Sequence, residues 1–237
     1  MIRNILTTTL LIATFLVFGL ESFAQTPVKD LSRIWSLNDS DKAVFNMTFS
    51  WYSGHKATIP AKTESHKVMV MGNNMIRETE DYIALINRDH SITVHHEAKT
   101  MMIQPSIIWR EKSIMPDWDS MLNTCSQVLP IGPEAGKSGY RFFFSDSALI
   151  TRMDLVFDPA TFRVLEVSMY YQAGLMDTEE LPGETPTRLT ISFDKIALKA
   201  PLTKADFESR RFLKKEKGTY EPSSLYADYR LLNALPR

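Results

Sequence analysis

The sequence predicts a mainly β (α+β) protein built on antiparallel strands, and three observations carry that prediction. Ala43, Phe45, Met47, Phe49 and Trp51 alternate with Val44, Asn46, Thr48, Ser50 and Tyr52, the two-residue period of a half-buried antiparallel strand. Short apolar runs then recur between turn-forming clusters such as Gly72-Asn73-Asn74 and Asn87-Arg88-Asp89-His90, where Gly and Asn tolerate positive φ. Only one later stretch, between Pro105 and Leu129, switches to helical spacing. The chain has 237 residues, 44% of them hydrophobic and 23% charged, which suffices for one medium domain with a real core.

The elements follow in order. Met1-Ile2-Arg3-Asn4 carries one positive charge, Ile5 to Leu20 is almost wholly apolar, and Ser22-Phe23-Ala24 supplies small residues at a cleavage site. This predicts a signal peptide over residues 1–24, cut after Ala24, leaving residues 25–237 as a single exported, soluble, periplasmic domain. The apolar run is shorter than the ~20 residues that span a bilayer, and no cysteine follows the cut to carry a lipid anchor. A short helix is expected from Pro27 to Leu37, with Val28, Leu31, Ile34 and Trp35 on one face. Strands follow at Ala43–Tyr52, Lys67–Met71, Met75–Thr79, Tyr82–Asn87, Ile92–Glu97 and Lys99–Ile103, a meander. Trp118, Met121, Leu122, Cys125 and Val128 keep i, i+3, i+4, i+7 spacing and predict an inserted helix, with residues 130–136 as a loop after it. Strands resume at Gly139–Ser145, Thr151–Phe157, Phe162–Gln172 and Thr187–Lys195, with Asp158-Pro159-Ala160-Thr161 as a tight turn. A short helix near Thr203–Phe207 and a last strand near Leu225–Leu232 complete the reading.

Charge and motifs exclude several classes. The formal net charge of -1 argues against a nucleic-acid partner. A single cysteine excludes an intramolecular disulfide framework and a Cys-rich zinc site. The sequence holds no Walker loop, Rossmann fingerprint, nucleophile elbow or HExxH motif. His95-His96-Glu97 is a poor metal site, because adjacent strand side chains point to opposite faces. Asp117 and Asp119 suit a helix N-terminus, and Asp154, Asp158 and Glu166 read as solvent-facing hairpin carboxylates. Cys125 reads as a buried, inert thiol on the helix stripe. The basic run Arg210, Arg211, Lys214, Lys215 and Lys217, balanced by Asp206, Glu208 and Glu216, reads as a solvated edge. No catalytic residue, metal ligand or cofactor is expected, and the chain is not expected to be an enzyme.

The strand of type Ala43-Val44-Phe45-Asn46-Met47, the meander, the helical insertion, the hairpin Met153 to Val167 and the strand ending Thr190-Ile191-Ser192-Phe193 occur in a familiar order. With the signal before them, they make the chain resemble the LolA-like family of periplasmic lipoprotein carriers and their lipid-binding relatives, over Val28 to Leu198. The resemblance implies a strongly curved antiparallel sheet, an incomplete barrel whose concave face is covered by helices. It also implies a cavity that holds acyl chains without catalytic residues.

Two functions follow as expectations. One is a periplasmic carrier or binding protein for an acyl chain, lipid or lipoprotein. Its candidate lining is Phe45, Met47, Phe49, Trp51, Val68, Val70, Ile92, Val94, Leu155, Phe157, Leu165, Val167 and Met169, with Trp118, Met121 and Leu122 from the lid. Twelve methionines suit a cavity that repacks around variable guests, or ordinary core filling. The other is an envelope scaffold with a filled core that meets a protein partner. Expected partners are therefore a lipid or acylated protein, and other envelope proteins.

Overall fold

The computed structural model describes residues 29–34, 36, 42–106, 122–134, 136–145, 148–172, 187–216 and 218–235. A long N-terminal strand, β1 (Lys42–Tyr52), leads into the meander β2 (Lys62–Met71), β3 (Asn74–Glu78), β4 (Tyr82–Ile86), β5 (His90–His95) and β6 (Thr100–Pro105). The second half contributes β7 (Cys125–Glu134), β8 (Lys137–Phe144), β9 (Ile150–Phe157), β10 (Val164–Tyr171) and β11 (Arg188–Leu198). The C-terminal segment adds a small hairpin, β12 (Leu213–Glu216) with β13 (Thr219–Pro222), and a last strand, β14 (Arg230–Asn233).

Twelve strands form one open, curved sheet in the order β14-β6-β5-β4-β3-β2-β1-β11-β10-β9-β8-β7. Neighbours are antiparallel except β14, which runs parallel to β6. The β1–β11 pairing joins the two halves in mid-sheet, over a register broken by a bulge between Val44 and Asn46. Turn chemistry sets the hairpins. Gly72 takes φ of 55° in the two-residue turn between β2 and β3, where a first central residue needs left-handed backbone. Asp158 accepts through its carboxylate from the amide N–H groups of Ala160 (2.8 Å) and Thr161 (3.3 Å), which folds the β9–β10 turn.

Residues paired directly across strands share a face. The registers therefore place Phe45, Met47, Val68, Leu155, Val167, Met169, Ile191 and Phe193 on one face, with Tyr140 and Phe142. Ile76, Leu85, Ile92 and Ile103 lie on the other, with Ile83, Val94 and Met101. Among the described residues, two larger cores thus lie on opposite faces of one sheet, with a smaller cluster of Ala43, Phe45 and Val68 on the first face. On the first face, Leu31 and Ile34 of the N-terminal helical residues pack with Tyr140, Phe142, Met153, Leu155, Phe157 and Val164. On the second, Phe207, Phe212, Leu213 and Tyr226 of the C-terminal segment cover β3 to β6.

Four expectations are corrected. The inserted helix does not reach Val128. Residues 122–124 are helical, but Cys125 begins β7, where Val128 pairs with Phe142 and Pro130 with Tyr140. A ladder against β8 outweighs a helical spacing that ran into Pro130. The same pairing turns most of the expected loop over residues 130–136 into strand. Among the described residues, the expected helical cover is limited on the first face to the N-terminal helical residues and to residues 122–124. Over β3 to β6 the covering segment is extended chain with 3-10 turns at Lys204–Phe207, Ser209–Arg211 and Ser224–Tyr226. The expected last strand near Leu225–Leu232 is a 3-10 turn followed by the short β14. The expected signal peptide and its cut after Ala24 lie outside the described residues, as do Trp118 and Met121.

Candidate functional site

The apolar first face narrows to a row across mid-sheet. Met47, Phe49 and Trp51 of β1 pair with Phe193, Ile191 and Leu189 of β11, and the last two pair with Val167 and Met169 of β10. These eight side chains are half-buried, in contrast to Leu155 of β9 in the same face, which has no exposure. Phe49 stacks on Trp51 at 5.9 Å, and Phe45 meets Phe193 at 6.2 Å. The row is an oily surface incompletely covered by the described residues.

One margin of this row is polar. His66 of β2 is 1% exposed and lies edge-on to Phe49, 4.8 Å between centroids. Arg77 Nε donates to His66 Nδ1 at 2.7 Å, and His66 Nε2 lies 3.0 Å from Glu64 Oε1. Burial first, and then the Arg77 charge, lower the His66 pKa to about 4, so the ring is neutral near pH 7. With Nδ1 accepting from Arg77, the neutral ring carries its proton on Nε2, which faces Glu64 Oε1 and lies 3.3 Å from Arg77 Nη2. The Arg77 guanidinium also sits over Phe49 (5.7 Å) and Tyr82 (5.5 Å).

The sequence-derived lining divides. Phe45, Met47, Phe49, Trp51, Val68, Val70, Leu155, Phe157, Val167 and Met169 share the first face. Leu122 packs, partly buried, on the core beneath Leu31 and Ile34. Ile92 and Val94 belong to the opposite face, fully buried under the C-terminal segment. Leu165 falls where the β9–β10 register slips and is half-buried.

Other residues depart from their sequence reading. Asp154 is not a solvent-facing carboxylate. It is buried and takes bidentate hydrogen bonds from Arg141 (both 2.9 Å), while Arg152 donates to both of its oxygens. Burial alone would raise its pKa, but these two guanidinium partners outweigh burial and hold it below the usual carboxylate range. Cys125 is half-buried on a strand, and burial pushes its thiol pKa up. His95 is exposed, whereas His96 Nδ1 is 3.1 Å from the Tyr229 hydroxyl. Among the described residues no cluster of His, Cys, Asp or Glu could hold a metal ion. None of their helices is long and apolar enough to cross a membrane.

Two groupings were missed in the sequence. The Glu64–His66–Arg77 set spans two strands, and only the i, i+2 spacing of Glu64 and His66 was visible beforehand. The other is a cleft of about 680 Å³ between the β4–β5 turn and the C-terminal segment, lined among others by Asn87, His90, Ser209 and Tyr220.

No protein-family model matches the chain, and no functionally curated protein matches it in sequence. Solved structures do show likeness. An uncharacterized conserved protein from Thermus thermophilus is 11% identical over 88% of this chain and 99% of its own, with a TM-score of 0.46. A LolA superfamily protein from Nitrosomonas europaea is 13% identical over 75% of this chain and 96% of its own, with a TM-score of 0.32. The Pseudomonas aeruginosa MucA/MucB complex contains a chain 9% identical over 82% of this chain and 72% of its own, with a TM-score of 0.40. Likeness at this level assigns the chain to no family.

Proposed function

We propose that the chain is a non-enzymatic carrier or binding protein for an acyl chain or lipid, free or attached to a protein, acting in the periplasm after export. The observation that carries this reading is the half-buried row Met47, Phe49, Trp51, Leu189, Ile191, Phe193, Val167 and Met169 on one sheet face. An acyl chain laid on such a row gains ~0.8 kcal/mol per buried methylene and needs few polar contacts. Export rests on the apolar N-terminal stretch and the small residues before Gln25, and the non-enzymatic character rests on the lack of any catalytic motif in the sequence.

A second reading, an envelope scaffold with a filled core, is favoured by the tight seating of Leu31 and Ile34 over β8 to β10. Native mass spectrometry with lipid extraction separates the two, since only a carrier retains acyl chains through purification. In parallel, a fluorescent fatty-acid probe is expected to bind the protein, and Met169→Asp to weaken that binding at least tenfold. A protein that neither co-purifies with acyl chains nor binds the probe is a scaffold.

A further inference from the structure

We propose that the cleft between the β4–β5 turn and the C-terminal segment binds a phosphate-bearing anion. The chain is nearly neutral overall, with a net charge of -1, yet five cationic side chains, Arg88, Lys204, Arg210, Lys214 and Lys215, line this one cleft against two carboxylates, Asp89 and Glu208. Local ion pairs absorb two of the five cations and leave three. Glu208 is paired with Arg210, and Lys214 is held by Glu216 (3.1 Å) and Glu221 (3.0 Å), both on the β12–β13 hairpin. Arg88 and Lys204 have no carboxylate partner among the described residues, and Lys215 lies over the Tyr220 ring at 5.2 Å.

The walls are fixed to each other, which distinguishes this cleft from a fringe of solvated lysines. Asn87, itself buried, donates through Nδ2 to the Phe207 carbonyl (2.9 Å) and to Ser209 Oγ (3.1 Å). Its Oδ1 accepts from the backbone N–H groups of Asp89 (3.0 Å) and His90 (2.9 Å), so one side chain shapes the turn and holds the opposite wall. His90 adds a second tie, with Nε2 3.1 Å from the Tyr220 hydroxyl and Nδ1 3.4 Å from Ser209 Oγ. Phe207 and Leu213 are buried at the base.

Cations supplied by two anchored walls of one cleft suit a compact, multiply charged group with oxygens in several directions, as phosphate is. The volume leaves room for an organic substituent on it. His90 shares a sheet face with Ile92 and Val94, so the cleft opens away from the apolar row. The inference does not depend on acyl binding.

The test uses the full chain at low ionic strength. Calorimetric titration with inorganic phosphate and flotation with phosphatidic acid/phosphatidylcholine vesicles report the soluble and lipid-headgroup sources separately. Either signal is expected to fall at least tenfold in Arg88→Ala/Lys204→Ala, whose side chains are exposed and whose loss leaves the melting temperature unchanged. The charge-matched control Lys56→Ala/Lys137→Ala, at exposed sites outside the cleft, is expected to bind as the unmodified protein does. Phosphate binding alone assigns a soluble anion, and vesicle binding alone a lipid headgroup. No binding in either arm, or equal loss in the control variant, overturns the proposal.

Discussion

Individual side chains on the first face combine oil with one costly polar group. His66 is ordinarily half-protonated near pH 6.5, but in the folded chain it protonates only near pH 4. Between those values the unfolded chain binds more protons than the folded one, so stability rises with pH across that window and is lost as pH falls through it. The full shift corresponds to about 3 kcal/mol. Urea denaturation from pH 7 down to pH 4 is expected to show this loss, and His66→Gln to flatten the profile. An unchanged slope in the variant would assign the loss to another group. Much of this face was legible residue by residue, because β1 alternates cleanly and β10 does so from Glu166 to Tyr170. Its polar margin was not. Arg77 reaches His66 only once the Gly72-Asn73 turn has set Arg77 opposite Val68, diagonal to His66. Nor could the sequence show that Ile92 and Val94 face away from Phe45. Relating β1 to β2 requires a register across residues 53–61, and that loop carries no two-residue turn to set it.

Among the elements, the hairpins followed their turn residues and the inserted segment did not follow its periodicity. Cys125 and Val128 satisfied a helical spacing, yet a strand needs a partner, and β8 offers one whose Phe142 and Tyr140 extend the buried face. That partner lies in the tertiary fold and leaves no mark in a local window. The β8–β9 pairing makes its own demand on sequence. A Cβ at Gly139 would stand 2.5 Å from the Leu155 carbonyl oxygen and 3.3 Å from Ile131 Cδ1. Backbone cannot retreat as a side-chain tip can. Gly139→Ala is therefore expected to cost about 1–3 kcal/mol by forcing β8 from β9, measured as a lowered urea midpoint. Substitution at Gly132, where a Cβ meets nothing within 4 Å, provides the comparison.

Over the whole molecule, two cores on opposite faces share one sheet. Leu155 belongs to the core under Leu31 and Ile34, and Phe212 to the core over β3 to β6; neither is exposed. Truncating each to alanine is expected to cost about 2–5 kcal/mol for Leu155 and 3–5 kcal/mol for Phe212. Because the two clusters share no member, the double variant should lose the sum to within about 0.5 kcal/mol. Denaturant melts of the four proteins form the cycle, and a coupling well above that value would show that the sheet transmits strain between its faces. The prediction of an antiparallel β protein held at this scale, whereas the opposed cores were hidden. The strands of the meander advertise an apolar side without saying which later segment will cover it.

The late covering of that side has a kinetic meaning. β2 to β6 are joined by local hairpins and can pair within microseconds of one another. The oily side they create is sealed only by Phe207, Phe212, Leu213 and Tyr226, and the buried tie from Asn87 to Phe207 spans 120 positions of chain. Closing a loop of that length costs about 4 kcal/mol of entropy beyond a constant, and non-local contacts of this kind slow folding. Phe207 follows Pro105, the end of β6, by about 100 residues, so at about 5–20 residues per second of synthesis the oily side of the meander stays open for about 5–20 s, with the outer edge of β6 still awaiting β14. Order of appearance, and not strength of contact, makes this the interval in which the protein is most vulnerable to aggregation.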